Sequence, residues 1–100
     1  MTQHFVRYHP QSKDDILEIS DWYADQKRGL EEEFLKCLEE ALAKIEANPL
    51  HCAIRYRSSR VKVLDRFPYR IIYKLIDKDI VIFGVFHAKR NPKLIRKRLK

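Results

Sequence analysis

The chain has 100 residues, 45% of them hydrophobic and 35% charged, with only two Gly and a formal net charge of +7. That balance describes one compact domain with a modest core, spanning residues 1–100, and excludes a disordered or fibrous chain; no run nears the roughly 20 apolar residues of a membrane-spanning helix. The charge is divided: residues 1–50 carry six Lys/Arg against eleven Asp/Glu, net −5, while residues 51–100 carry fifteen against three, net +12.

Such a basic half is expected to meet an anionic partner, because clustered cations steer toward phosphate and release its condensed counterions. The start, Met1-Thr2-Gln3-His4, has neither the basic nor the apolar region of a signal peptide. The expected compartment is therefore the cytoplasm, with no membrane association and with Cys37 and Cys52 as reduced thiols.

In chain order, residues 4–8 alternate as a short strand, Pro10 closes it, and Ser12 with Asp15 suggests a capping box for a helix. Ile16, Ile19, Trp22 and Tyr23 then fall on one helical face. Gly29 interrupts, and Leu30, Phe34, Cys37, Leu38, Ala41, Leu42 and Ile45 form a second amphipathic run, which makes a helical hairpin. Glu31, Glu32 and Glu33 sit in that second helix's first turn, where negative charge complements the helix dipole, and Asn48-Pro49 ends it.

Beyond Pro49 the period becomes extended. Residues 60–64 alternate, residues 69–76 follow, Asp77-Lys78-Asp79 makes a tight connection, and residues 80–86 are apolar at every position, as in a central strand buried on both faces. Residues 91–100 form a basic tail, either a short helix or an arm. The expected fold is α+β, in the order β-α-α-β-β-β, with the hairpin on one face of a small antiparallel-rich sheet and the other face open. Arg60 and Lys62 point away from Val61 and Val63, and Arg70 shares a face with Ile72 and Lys74, leaving cations on the sheet.

Chemistry of other kinds has little support. Cys37 reads as core and Cys52 forms no nucleophile constellation, so neither metal nor cofactor is expected, and two glycines cannot build a phosphate-cradling loop. A plain RNA-binding module lacks the glycine-aromatic signature of an RRM and the GXXG loop of a KH domain. Phe67, Tyr69, Tyr73, Phe83 and Phe86 are expected in the core, and Tyr56 at the surface.

The segments Asn48-Pro49, Phe67-Pro68-Tyr69-Arg70-Ile71-Ile72-Tyr73 and His87-Ala88-Lys89-Arg90-Asn91-Pro92, in this order and spacing, resemble the RelE/ParE superfamily of toxins from bacterial type II toxin–antitoxin pairs. The resemblance covers nearly the whole chain. It implies a growth-inhibiting toxin neutralised by a cognate antitoxin whose C-terminal part wraps the hairpin and exposed sheet surface.

Two mechanisms divide the superfamily. ParE-like and "plasmid stabilisation" members bind DNA gyrase and leave it poisoned on cleaved DNA; the Phe-Pro-Tyr and His-x-x-Arg-x-Pro segments look more like these. RelE-like members cleave mRNA in the ribosomal A site through the 2′-hydroxyl, to which Arg60, Lys62, Arg70 and Arg90 correspond here as the cations, while His87 is either the one remaining proton carrier or a structural or antitoxin-facing residue. The tail lacks the C-terminal Tyr of those nucleases, and Ile95 stands where ParE relatives usually carry Trp. Arg60, Lys62, Arg70, Lys89, Arg90, Arg96 and Arg98 are the expected contacts to target or phosphate, and an enzymatic role depends on which mechanism applies.

Overall fold

The computed structural model describes residues 5–100; His4, expected in the first strand, lies outside them. Strand β1 spans Val6–Tyr8, and helix α1 follows at once over Pro10–Gln26. The N-cap of α1 is His9, whose Nδ1 accepts from the Gln11 N–H at 3.1 Å, and Pro10 takes the first helical position, where its fixed φ and missing N–H cost nothing. The capping box expected from Ser12 and Asp15 is not formed. Ser12 is buried with Oγ donating to the His9 carbonyl at 2.6 Å, and Asp15 turns toward the sheet.

Helix α2 spans Leu30–Ala47 and begins at Gly29, whose φ of 89° is a left-handed conformation that only Gly adopts without strain. Strands β2 (Arg60–Val63), β3 (Tyr69–Ile76) and β4 (Asp79–His87) complete a sheet in the order β1-β4-β3-β2. β1 pairs with β4 in parallel and the other pairings are antiparallel, so β4, whose run from Ile80 to Phe86 carries no charged residue, is an inner strand, as its composition requires. Asp77, with φ of 57°, turns the connection from β3 to β4.

One face of the sheet buries Ile71, Tyr73, Ile80, Ile82 and Val85 against Ile19 and Tyr23 of α1 and Phe34, Leu38 and Ile45 of α2. The opposite face, expected to be open, is covered. A third helix, α3 (Pro92–Arg98), lays Ile95 and the following Leu99 on Val61, Ile72 and Phe86. The cause is cross-strand pairing: Val61 stands opposite Ile72, and with Phe86 they form an apolar patch that water would otherwise contact. Ile95 is 3% exposed and, with Leu99, anchors α3.

A bulge in β4 makes this second layer possible. Tyr73 pairs with Ile82 and Ile72 with Gly84, leaving Phe83 as the extra residue. The bulge resets the alternation, so Val85 and His87 face the helical hairpin while Phe86 faces α3.

Candidate functional site

The cations of the basic half do not converge on one surface. Register places Arg60 opposite Tyr73 and Lys62 opposite Ile71, both on the hairpin face. Arg60 Nη1 donates to the carbonyls of Cys52 at 2.5 Å and Leu50 at 3.3 Å, and the Tyr73 hydroxyl donates to the Pro49 carbonyl at 2.7 Å. Together they fasten the connection between α2 and β2. Lys62 lines a shallow crevice with Cys37, Glu40, Lys44 and Asp65.

Arg70 lies on the other face, between Val63 and Phe86 in the register, and its buried Nε has no hydrogen-bond acceptor among the described residues. Three further cations on that side rest on rings: Lys74 Nζ is 5.5 Å from the Phe83 centroid, the Arg96 guanidinium 5.8 Å from Tyr56, and that of Arg98 4.5 Å from Phe86. Tyr56, expected at the surface, is half-buried beneath Arg96. Arg98 also pairs with Asp15, a contact shielded from water on both sides, so this expected phosphate contact is engaged within the chain.

His87 and Arg90 come together at the far end of β4. β1 ends at Tyr8, opposite Ile82, and beyond it no strand among the described residues pairs with the outer edge of β4. Asp15 caps that edge by accepting the Val85 N–H at 3.0 Å. Beside it opens a chamber of about 350 Å³ lined by Glu18, Trp22, Tyr69, His87 and Arg90. His87 Nδ1 accepts from the Lys89 N–H at 3.0 Å, which assigns the proton of the neutral ring to Nε2, and its ring meets Tyr69 edge-on at 5.2 Å.

Arg90 also borders a second chamber, of about 340 Å³, with Gln11, Phe86, Leu94, Lys97 and Arg98. Lys89 is exposed within the turn that joins β4 to α3.

Trp22, expected on the buried stripe of α1 with Ile19 and Tyr23, is 55% exposed at the chamber mouth. Sequence reasoning missed it, along with Glu18, Asp15 and Gly84. Only Gly84 carried a signal, as a lone glycine inside an apolar strand, where close approach of another group is the usual cause.

Burial pushes the phenols of Tyr23 and Tyr69 above their ordinary value, and the neighbouring Tyr69 pushes Tyr23 further. Burial raises Tyr73 strongly, and Tyr8 is raised by burial and then by Glu46. Each phenol thus holds its proton more tightly folded than unfolded, so its contribution is complete below pH of about 10 and is lost as pH climbs through the raised value. Unfolding free energy from urea titrations should fall as pH rises above about 10, with the deeply buried Tyr73 contributing about 1.4 kcal/mol per pH unit while it stays protonated. In Tyr73→Phe the slope should be shallower by one proton, and an unchanged slope would contradict the assignment.

The family model for the ParE toxin of type II toxin–antitoxin systems, parDE, matches residues 6–92. Among solved structures, a chain of the chromosomal ParDE system from P. aeruginosa superposes with a TM-score of 0.73 at 17% identity, covering 87% of this chain and 98% of that one. A mutant of the E. coli toxin RelE in the free state gives 0.63 at 16%, covering 98% and 99%. The toxin–antitoxin complex RelBE2 from Mycobacterium tuberculosis gives 0.56 at 19%, covering 87% and 93%. At these identities the likeness is one of fold. No curated protein matches the chain.

Proposed function

The chain belongs to the ParE toxins of type II toxin–antitoxin systems, and from that premise we propose that it arrests growth in the cytoplasm by binding DNA gyrase and holding it on cleaved DNA. The observation that carries this reading is the dispersal of the nuclease set. Arg60 and Lys62 lie on the hairpin face, with Arg60 tied to loop carbonyls, while Arg70 lies on the α3 face and only His87 and Arg90 share a place, at the open end of β4. A transition-state clamp requires cations and a proton carrier around one phosphate. A surface that poisons a protein target has no such requirement.

A cognate antitoxin is the inferred partner. Exposed Leu17 on α1 and Leu35 on α2 offer apolar contacts to an amphipathic segment, and the half with net charge +12 would attract its acidic residues. The chain of M. tuberculosis RelBE2 that shares this fold comes from such a complex.

One observation favours ribosome-dependent mRNA cleavage instead: the buried Arg70 Nε without an acceptor would suit an incoming phosphate oxygen. The two readings are separated by giving purified protein to gyrase with supercoiled plasmid and to programmed ribosomes with end-mapped mRNA. Accumulated cleaved plasmid with intact mRNA is the expected result. Cuts at the A-site codon that vanish in Arg70→Ala, with gyrase unaffected, would overturn it.

A further inference from the structure

The two chambers at the open end of β4 meet at Arg90 and Phe86, forming one trough between α1 and α3. We propose that this trough binds a single-stranded nucleic acid, seating one base against Trp22 and the adjoining phosphate between Arg90 and Lys97.

The walls differ in chemistry along the trough. The first chamber offers the exposed indole of Trp22, the Tyr69 ring, the Nε2–H of His87 as a donor and the Glu18 carboxylate as an acceptor. That set suits a base, which stacks on an aromatic face and carries donors and acceptors on its edge. Glu18 disfavours phosphate in this chamber by like charge.

The second chamber holds Arg90, Lys97 and Arg98, and none of the ion pairs among the described residues involves Arg90 or Lys97. Arg98 is paired with Asp15, which leaves Arg90 and Lys97 as the cations for a phosphate. Each volume lies near the lower end of the roughly 300–1,000 Å³ typical of small-ligand pockets, which fits one nucleotide unit rather than a folded partner.

A peptide adding as a strand is disfavoured, because Asp15 already takes the Val85 N–H on the edge where such a strand would pair. The proposal goes beyond gyrase binding and is read out with no gyrase present, so either can fail alone.

Trp22 is the only tryptophan in the chain, so its fluorescence reports this trough directly. Fluorescein-labelled single-stranded octanucleotides of mixed sequence, one DNA and one RNA, should quench Trp22 saturably, and the two arms would show whether the 2′-hydroxyl matters. By anisotropy, Arg90→Ala and Lys97→Ala should each weaken binding about tenfold and reduce the salt dependence by about one ion. Both side chains are exposed, so the fold should survive.

Lys36→Ala, on the exposed face of α2 outside the trough, should leave binding unchanged. Binding without Trp22 quenching, or equal weakening by Lys36→Ala, would overturn the proposal in favour of diffuse charge attraction. An acidic peptide that quenches Trp22 where neither oligonucleotide does would overturn it in favour of a protein partner.

Discussion

Asp15→Ala should lower the unfolding free energy by about 3–5 kcal/mol, the cost of leaving one charge of a water-shielded ion pair uncompensated. The Asp15 and Arg98 side chains are only 16% and 14% exposed, and the same carboxylate accepts the Val85 N–H. Arg98→Ala should cost a similar amount, because it also removes the guanidinium from the Phe86 ring. Joint replacement, Asp15→Leu with Arg98→Leu, should restore most of the loss, since an apolar pair needs no compensation.

Gly84→Ala probes the same junction sterically. A Cβ there would stand 2.5 Å from Arg98 Nη1, 2.6 Å from Phe86 Cε2 and 2.9 Å from Asp15 Oδ2, and overpacking of this kind costs about 1–3 kcal/mol. Urea unfolding of the four variants decides the matter. An Asp15→Ala loss below about 1 kcal/mol would place the pair among ordinary surface ion pairs and leave α3 held by Ile95 and Leu99 alone.

That junction also marks where the sequence stops being readable. The hairpin and the strands were legible because their periods differ: Leu30, Phe34, Cys37, Leu38, Ala41 and Ile45 repeat at helical spacing, and Tyr69–Ile76 was assigned with the bounds observed. The docking of α3 was hidden. Its two apolar anchors, Ile95 and Leu99, stand among Lys93, Arg96, Lys97, Arg98 and Lys100, and its ion pair reaches back 83 positions to Asp15. The bulge in β4 was hidden for a different reason: where every residue from Ile80 to Phe86 is apolar except Gly84, alternation carries no phase to be broken.

The candidate site was legible residue by residue but not as an arrangement. Alternation within β2 separates Arg60 and Lys62 from Val61 and Val63, yet it cannot say which set shares a face with Arg70. Register decides that. With Arg60 opposite Tyr73 and Val63 opposite Arg70, the cations of the two strands fall on opposite faces of the sheet. Trp22 was misplaced because the apolar stripe of α1 is wider than the surface it covers, and the chain leaves its outer member at the chamber mouth.

Phe34→Ala is the second change with a large expected effect, about 3–5 kcal/mol, because it opens a cavity at the centre of the hairpin-to-sheet contact. Phe34 is fully buried, and its ring lies 5.6 Å from Tyr23, 5.5 Å from Phe67 and 5.8 Å from Tyr69, the last two edge-on, an arrangement worth about 0.5–1.5 kcal/mol per pair beyond burial alone. Phe34→Leu keeps much of the volume but none of the ring geometry, so its cost should fall well below that of Ala.

The cavity should also be felt at the trough. Tyr69 packs on Phe34 from one side and forms the wall behind His87 on the other, and Tyr23 carries Trp22 edge-on at 5.1 Å. In Phe34→Ala the native emission of Trp22 should therefore shift and octanucleotide affinity should fall, although no side chain of the trough has been altered. Equal stability losses for Ala and Leu would show that the aromatic contacts carry nothing beyond burial. A destabilised Phe34→Ala with unchanged Trp22 emission and affinity would show that the trough is held by the α1–α3 junction rather than by the aromatic cluster beneath it.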